Sequence, residues 1–249
     1  DGGVVSYDKT QPAFAYHRFA TGASGPAVAS SSDGAMTWNA NGPTTALRAA
    51  MLSAGDVGAG FFPPVASDPG NPQRVLFGAH SVYVSTDAMT IWARQTTQDL
   101  TGQCQLGACA IQDLEFAPSA PFIAYSLSTE TSITSPVTPF KIFQTSQADV
   151  QVDAGHPNGA QWTDRTINLP FNPAETQATG IAVSPFNPAV AYLTVSGFSA
   201  VTGVGHVYVT TDSGAHWFRD DGNSSGLIPP PPTALPDVPA LRLMVDISD

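Results

Sequence analysis

The chain has 249 residues, of which 42% are hydrophobic and only 12% are charged, and its formal net charge is -11. This length and apolar content are enough for a sizeable core, whereas two lysines, Lys9 and Lys141, leave no basic surface for nucleic acid. No apolar run is long enough to cross a bilayer, so the sequence predicts no membrane insertion, and 22 Gly and 22 Pro argue against long helices.

Alternating apolar stretches, interrupted by Pro and Gly, predict pairs of β-strands joined by proline turns. In chain order these pairs cover residues 4–16, 65–77, 114–125 and 181–192, and residues 241–249 resemble the first half of another pair. Shorter strands are predicted at 82–84 and 207–209. The pattern indicates an all-β chain.

Three eight-residue segments repeat one phrase, in which a Ser or Thr is followed by Asp, a position favouring glycine, and Trp. The defining residues are Ser31, Asp33 and Trp38; Ser85, Asp87 and Trp92; and Thr210, Asp212, Gly214 and Trp217. We expect the Asp side chain to accept hydrogen bonds from N–H groups one or two residues ahead, with the hydroxyl closing the same hairpin. The Trp ring is expected between neighbouring sheets. Ala35 and Met89 at the glycine position predict either strain or a relaxed turn.

A fourth tryptophan, Trp162, resembles the end of a phrase that an insertion has split. The chain then divides into units of roughly 50 residues and about four strands each, which bury their faces only against one another. We place these units at about residues 1–50, 57–97, 111–167 and 178–221, with a partial unit at 238–249.

The phrase and the proline-turn strand pairs resemble the Asp-box (BNR) repeats of a β-propeller family that includes sialidases, xyloglucanase-type glycosidases and sortilin-like receptors. This resemblance implies an all-β propeller with four recognisable blades and the start of a fifth. Family members usually have six or more blades, which favours a part of a larger ring over a closed four-bladed one. A part of a ring exposes apolar blade edges, so we expect association with the rest of the propeller or with another chain.

The resemblance also implies that the box carboxylates Asp33, Asp87 and Asp212 are structural. The arginine motif of sialidases is absent, and residues 16–22, where xyloglucanase-type enzymes carry a catalytic aspartate, contain no acid. The seven arginines are scattered, and we expect surface or inter-blade roles for them.

The remaining acids near predicted inner strands are Asp56, Asp113, Glu115 and Asp246. Asp113 and Glu115 lie two apart on a strand and therefore share a face, where a carboxyl pair could serve acid and base roles in glycoside cleavage. A solvated lining of the central channel explains the same pattern. Asp56 is a third catalytic candidate.

Cys104 and Cys109 could close a small disulfide ring in an oxidising compartment, or could be free thiols. Histidine spacing predicts no metal site, although the acidic turn at residues 220–223 could supply oxygen ligands to calcium. With low Lys and an acidic balance, the chain is expected to be secreted or periplasmic.

Two functions remain open. The protein either binds or hydrolyses a polysaccharide, or is a non-catalytic scaffold of the sortilin-like or assembly-factor type that binds a protein. The first predicts exposed aromatic rings near carboxylates on the face formed by the long loops. Four candidates are Phe61, Phe62, Tyr125 and Phe198.

Overall fold

A computed structural model describes residues 4–7, 11–21, 25–56, 58–101, 109–130, 139–174, 176–199, 203–222 and 234–245. Within these residues the chain forms four antiparallel sheets, and inside each sheet the strands pair in chain order. None of the described helices is both long and apolar enough to span a membrane.

The first sheet has three strands and the other three sheets have four each. The strands of the first two sheets are β1 (Val4–Tyr7), β2 (Ala15–Arg18), β3 (Val28–Ser31), β4 (Val65–Asp68), β5 (Asn71–Gly78), β6 (Val82–Ser85) and β7 (Ala93–Arg94). Those of the third and fourth are β8 (Cys109–Phe116), β9 (Ala124–Glu130), β10 (Lys141–Thr145), β11 (Trp162–Asp164), β12 (Ala178–Val183), β13 (Ala191–Val195), β14 (Val207–Thr210) and β15 (Phe218–Arg219). A 3-10 turn covers Thr166–Asn168.

The first strands of successive sheets contact one another, β1 with β4, β4 with β8 and β8 with β12. These four strands therefore lie innermost, and the sheets extend outward from them. Three apolar clusters fill the spaces between successive sheets. This is the radial stacking that the repeat predicts, because each sheet buries its faces only against its neighbours.

The tryptophans lie in these spaces wherever a preceding sheet is present. Trp92 packs between the first and second sheets, Trp162 between the second and third, and Trp217 between the third and fourth. Trp38 belongs to the first sheet, which has no preceding sheet among the described residues, and it is 38% exposed. The prediction that Trp38 is buried between sheets is therefore wrong.

The box turns are held by the hydroxyl and the carboxylate together, with a longer reach than we expected. In the second box, Ser85 Oγ accepts a hydrogen bond from Met89 N at 2.9 Å, and Asp87 Oδ1 accepts one from Ile91 N at 2.8 Å. The Asp87 carboxylate therefore accepts from an N–H group four residues ahead rather than one or two, and the Ser85 hydroxyl accepts both from Met89 N and, at 3.5 Å, from Asp87 N. Ser85 Oγ also donates to Asp87 Oδ1 at 2.9 Å.

The first and third boxes repeat this geometry and stabilise their carboxylates. Thr37 N donates to Asp33 Oδ1 at 2.9 Å, and His216 N donates to Asp212 Oδ1 at 2.8 Å. The Thr37 hydroxyl and the His216 ring add side-chain hydrogen bonds that lower the pKa of Asp33 and that of Asp212 to about 2.

Ala35 and Met89 keep the left-handed backbone of the glycine position rather than relaxing the turn. Their φ angles are 65° and 73°, close to the 82° of Gly214. A non-glycine residue in this conformation costs about 1–2 kcal/mol. The Met89 side chain is fully buried between the first two sheets, and such burial contributes about 1.5–3 kcal/mol, enough to offset the strain.

The split fourth box is present in the third sheet. Thr145 Oγ1 and Gln147 Oε1 take the places of the box hydroxyl and carboxylate, and Gln161 N donates to Gln147 Oε1 at 2.8 Å. The insertion at residues 148–160 separates the two halves. A glutamine in place of the aspartate explains why the sequence revealed only the Trp162 end.

An α-helix, α1 (Asn41–Ser53), follows the first sheet. Pro43, Leu47 and Met51 are spaced by four residues and are its buried positions. The expectation that Gly and Pro leave no room for a long helix is wrong here, because Pro43 lies in the first turn, where a missing N–H is tolerated. The helix packs against β3 and β7.

The described part of the last segment, residues 234–245, contains no strand. The strand predicted to begin a fifth repeat at 238–249 is thus not formed in residues 238–245. Instead, Thr179 Oγ1 donates to the Ala240 carbonyl at 2.6 Å, which fastens the segment to β12.

Candidate functional site

A groove of about 310 Å³ runs along the inner strands β1, β4 and β8. Its lining combines apolar side chains with polar ones, and the polar side chains come from strands of three sheets and from the last segment. These polar residues are Ser6, Tyr7, Arg18, Ser67, Asp113, Glu115 and Arg242. The groove thus lies where the sheets converge, a usual place for a binding site.

Asp113 is the most buried acid of the groove, with an exposed fraction of 4%. It follows a register shift in β8, and its Oδ2 accepts a hydrogen bond from Ile181 N of β12 at 3.1 Å. Its Oδ1 accepts from Leu114 N at 3.1 Å and from Arg242 Nη2 at 3.3 Å. Burial raises the pKa of this carboxyl, and Arg242 and the N–H donors oppose the rise only in part.

Glu115 lines the same groove and is half-buried. It also borders a second cavity of about 430 Å³ between β8, β12 and residues 242–245. The structure therefore places the two candidate acids on one face of β8, toward the centre of the molecule.

Arg18 and Arg242 come together at this groove from opposite ends of the sequence. Arg18 is the last residue of β2 and is 7% exposed, whereas the Arg242 side chain is 63% exposed. Sequence reasoning missed this pair because nothing in the local pattern around either arginine links it to the other. The expected inter-sheet role of the arginines fits Arg74, which pairs with Asp68 and donates to the Pro121 carbonyl at 3.0 Å.

Two exposed aromatic rings adjoin the arginine. The Phe61 and Phe62 rings are 4.7 Å apart in an edge-to-face arrangement, and the Arg18 guanidinium lies 5.6 Å above the Phe62 ring. Thr21 N, just beyond β2, donates to the Phe61 carbonyl at 2.8 Å and holds this loop against the end of the strand. The pair is therefore an aromatic platform beside the groove.

The other two aromatic candidates lie elsewhere. Phe198 is exposed but does not line the groove, and Tyr125 is fully buried, with its hydroxyl donating to the Pro188 carbonyl at 3.1 Å. The prediction that Tyr125 is an exposed ring for stacking sugars is therefore wrong.

Asp56 does not line the groove. Its carboxylate is buried and accepts hydrogen bonds from Ser81 N at 2.9 Å, Gly58 N at 3.1 Å and the Tyr83 hydroxyl at 3.2 Å. Burial, followed by the charge of Asp56, raises the pKa of Tyr83. These contacts anchor the start of β6, so the role of Asp56 in the fold is structural. Asp246, the remaining acid, lies outside the described residues.

Cys109 is the first residue of β8 and is disulfide-bonded. Its predicted partner Cys104 lies outside the described residues, so that pairing stays a prediction. In the described part of the chain, no three His, Cys, Asp or Glu side chains come together as metal ligands. Asp221 of the predicted calcium turn accepts from His206 N at 2.9 Å and Arg219 Nε at 2.8 Å, and Asn223 is not among the described residues.

Comparisons with solved structures identify the fold. A GH74 enzyme of Niastella koreensis covers 86% of the chain at 15% identity and a TM-score of 0.56. A GH74 xyloglucanase from Xanthomonas campestris covers 86% of the chain at 15% identity and a TM-score of 0.54. An ancestral GH74 enzyme covers 88% of the chain at 17% identity and a TM-score of 0.53. The chain spans 28%, 29% and 24% of their respective lengths. No protein-family model and no curated protein matches the chain.

At these identities the likeness establishes the fold and not the activity. The chain has a β-propeller fold of the kind found in glycoside hydrolases, with nearly all of its regular structure in antiparallel sheets.

Proposed function

We propose that this protein is an exported β-propeller that binds a polysaccharide in the central groove and hydrolyses it there. One observation carries the proposal: a carboxyl pair on one face of β8 shares a groove with Arg18, which lies over an exposed aromatic platform. Sugars stack their apolar faces on such rings, and paired carboxyls perform glycoside cleavage. The disulfide at Cys109 and the acidic, lysine-poor composition support export, which cell fractionation would test.

The two acids have different environments, as a general acid and its partner require. Asp113 is buried and its raised pKa favours the protonated form, so it is the candidate proton donor to the leaving sugar oxygen. Glu115 is more exposed and is the candidate base or nucleophile. Because this pair lies on β8, the proposed site differs from residues 16–22, where the resemblance would place a xyloglucanase-type aspartate.

The test measures reducing ends released from soluble xyloglucan, other β-glucans and polygalacturonate, together with binding by affinity electrophoresis. Glu115→Gln and Asp113→Asn are expected to retain binding and to lower turnover at least about 100-fold. Phe61→Ala is expected to weaken binding. Asp153→Asn removes an exposed carboxylate away from the groove and is the matched control.

The outcomes separate binding from catalysis. Binding without release of reducing ends would remove the hydrolase part and leave a carbohydrate-binding module. If none of the polysaccharides binds, or if Phe61→Ala and the acid variants behave as Asp153→Asn does, the proposal is wrong.

A second candidate function, a protein-interaction scaffold, rests on the open face of the first sheet. Val5, Tyr7, Met36 and Trp38 are exposed there, although each of the other three box or box-like tryptophans is covered by a neighbouring sheet. We propose that this face packs against another β-sheet, either from the rest of a larger propeller or from another chain. Sedimentation equilibrium tests this, because a chain that stays monomeric at millimolar concentration would contradict it.

A further inference from the structure

Arg18 has two donor groups that no acceptor in the described part of the chain satisfies. Its Nε and Nη1 atoms are buried and have no hydrogen-bond acceptor among the described residues. Burial is the main reason that the pKa of Arg18 is lowered, and the charge of Arg242 adds to the effect. A desolvated guanidinium with unpaired donors is costly, so its presence calls for an explanation.

Arg94, Arg165 and Arg48 each have at least one acceptor within the fold, although Arg94 and Arg165 also leave a buried Nε without an acceptor among the described residues. Arg94 donates to Ser81 Oγ at 2.9 Å, Arg165 to Gln144 Oε1 at 3.1 Å, and Arg48 to the carbonyls of Pro26 and Gly25 at 2.9 and 3.0 Å. Arg18 differs from them because it lines the groove. Its free donors therefore coincide with a place where a ligand can lie.

The nearest acid does not satisfy Arg18. Both oxygens of Asp113 already accept hydrogen bonds, from Ile181 N, from Leu114 N and from Arg242. Phe62 holds the guanidinium by a cation–π contact, which supplies no hydrogen-bond acceptor. An anionic group entering the groove beside Asp113 would meet the free donors of a fixed, planar cation.

We propose that Arg18 recognises an anionic substituent, a carboxylate or a sulfate ester, on a sugar bound in the groove, so that the ligand is an acidic polysaccharide. The inference rests on the proposed carbohydrate function and specifies its substrate class. Recognition is local, because a protein with a net charge of -11 repels an acidic polymer at a distance. Any preference for the acidic ligand must then arise within the groove.

The experiment compares matched oligosaccharides by isothermal titration calorimetry with the complete chain. Oligogalacturonate is tested against its methyl ester, and a sulfated galactan oligosaccharide against its desulfated form. Removing the anion is expected to weaken binding about 10- to 100-fold, the effect of losing a charge-assisted hydrogen bond. A preference in the first pair identifies a carboxylate, and one in the second pair identifies a sulfate ester; either supports the proposal.

Variants then assign the effect to the residue. Arg18→Gln is expected to abolish the preference for the charged partner, and Arg18→Lys to restore part of it. Arg48→Gln removes the same charge outside the groove and should leave the preference unchanged. The ester comparison uses the natural protein and gives an answer even if Arg18→Gln does not fold.

Two results would overturn the inference: equal affinity for charged and neutral partners in both pairs, or a preference that survives in folded Arg18→Gln. In the first case, binding of neutral polysaccharide would leave the proposed function intact. Absence of binding to all four oligosaccharides would overturn this inference, whereas the proposed function would be refuted only if the polysaccharides of its own test also failed to bind.

Discussion

The turn at Gly159 shows how strongly the third sheet depends on its contact with the second. Gly159 has a φ of +66°, and the next residue donates from Ala160 N to the Gln95 carbonyl at 2.9 Å. A methyl group at Gly159 would overlap that carbonyl oxygen and would lie 2.9 Å from Val152 Cγ2. Because the overlapping atom belongs to the backbone, Gly159→Ala must push the two sheets apart.

The expected loss has three parts. A left-handed alanine costs about 1–2 kcal/mol, overpacking about 1–3 kcal/mol, and loss of the Ala160 hydrogen bond about 1 kcal/mol. Because one relaxation of the turn relieves part of each cost, the three parts are not fully additive. Gly159→Ala should therefore lower the free energy of unfolding by about 3–5 kcal/mol. Urea unfolding followed by tryptophan fluorescence measures this change.

Gly34→Ala is the matched control. Gly34 has a φ of +73°, but no atom lies within 4 Å of its added methyl group. Gly34→Ala should therefore lower the free energy of unfolding only by the cost of a left-handed alanine, about 1–2 kcal/mol. If the two variants lose stability equally, within about 0.5 kcal/mol, then close packing at Gly159 does not hold the sheets together and the reasoning is refuted.

Three further predictions concern the tryptophans, the boxes and the sheet contacts. Trp217→Ala should lower the free energy of unfolding by about 3–5 kcal/mol because its ring is buried, whereas Trp38→Ala should lower it by well under half as much in the monomer. Equal losses of stability in urea titrations would contradict the assignment of the open face. The lowered pKa of Asp212, about 2, contributes stability that is fully present above its unfolded value of about 4 and is lost as the pH falls through about 2. Acid titrations of stability should show this loss diminished in Asp212→Asn, and an unchanged curve would argue against it. Gln95→Met should destabilise by about 1–3 kcal/mol, because Gln95 Oε1 accepts the buried Trp162 Nε1 hydrogen at 2.8 Å; a neutral effect in thermal melts would show that this indole needs no partner.

Local sequence determined the repeat. Alternating strands, proline turns and box residues such as Ser85 and Asp87 interact over four residues or fewer, so their pattern predicts the hairpins directly. The same pattern placed the tryptophans at the contacts between sheets. Trp38 was the exception, because burial of a box tryptophan depends on a preceding sheet and not on the box itself.

The helix and the split box have sequence patterns that Gly, Pro and the eight-residue phrase do not reveal. The spacing of Pro43, Leu47 and Met51 is that of one helix face, yet the Asn-Gly-Pro start resembles a turn. The glutamine that replaces the aspartate in the third sheet, Gln147, makes the box contact across an inserted loop, so no eight-residue phrase could show it.

The sequence by itself determined which residues form strands and turns, because these depend on neighbours a few positions away. It also placed Asp113 and Glu115 on one face, since a strand alternates its side chains. Only the tertiary structure decided that Arg242 pairs with Asp113 and that Arg18 lines the same groove. It also decided that Asp56 instead anchors β6 and that Tyr125 is buried. Such contacts join distant parts of the chain through the packing of sheets around a common centre, and no local pattern encodes them.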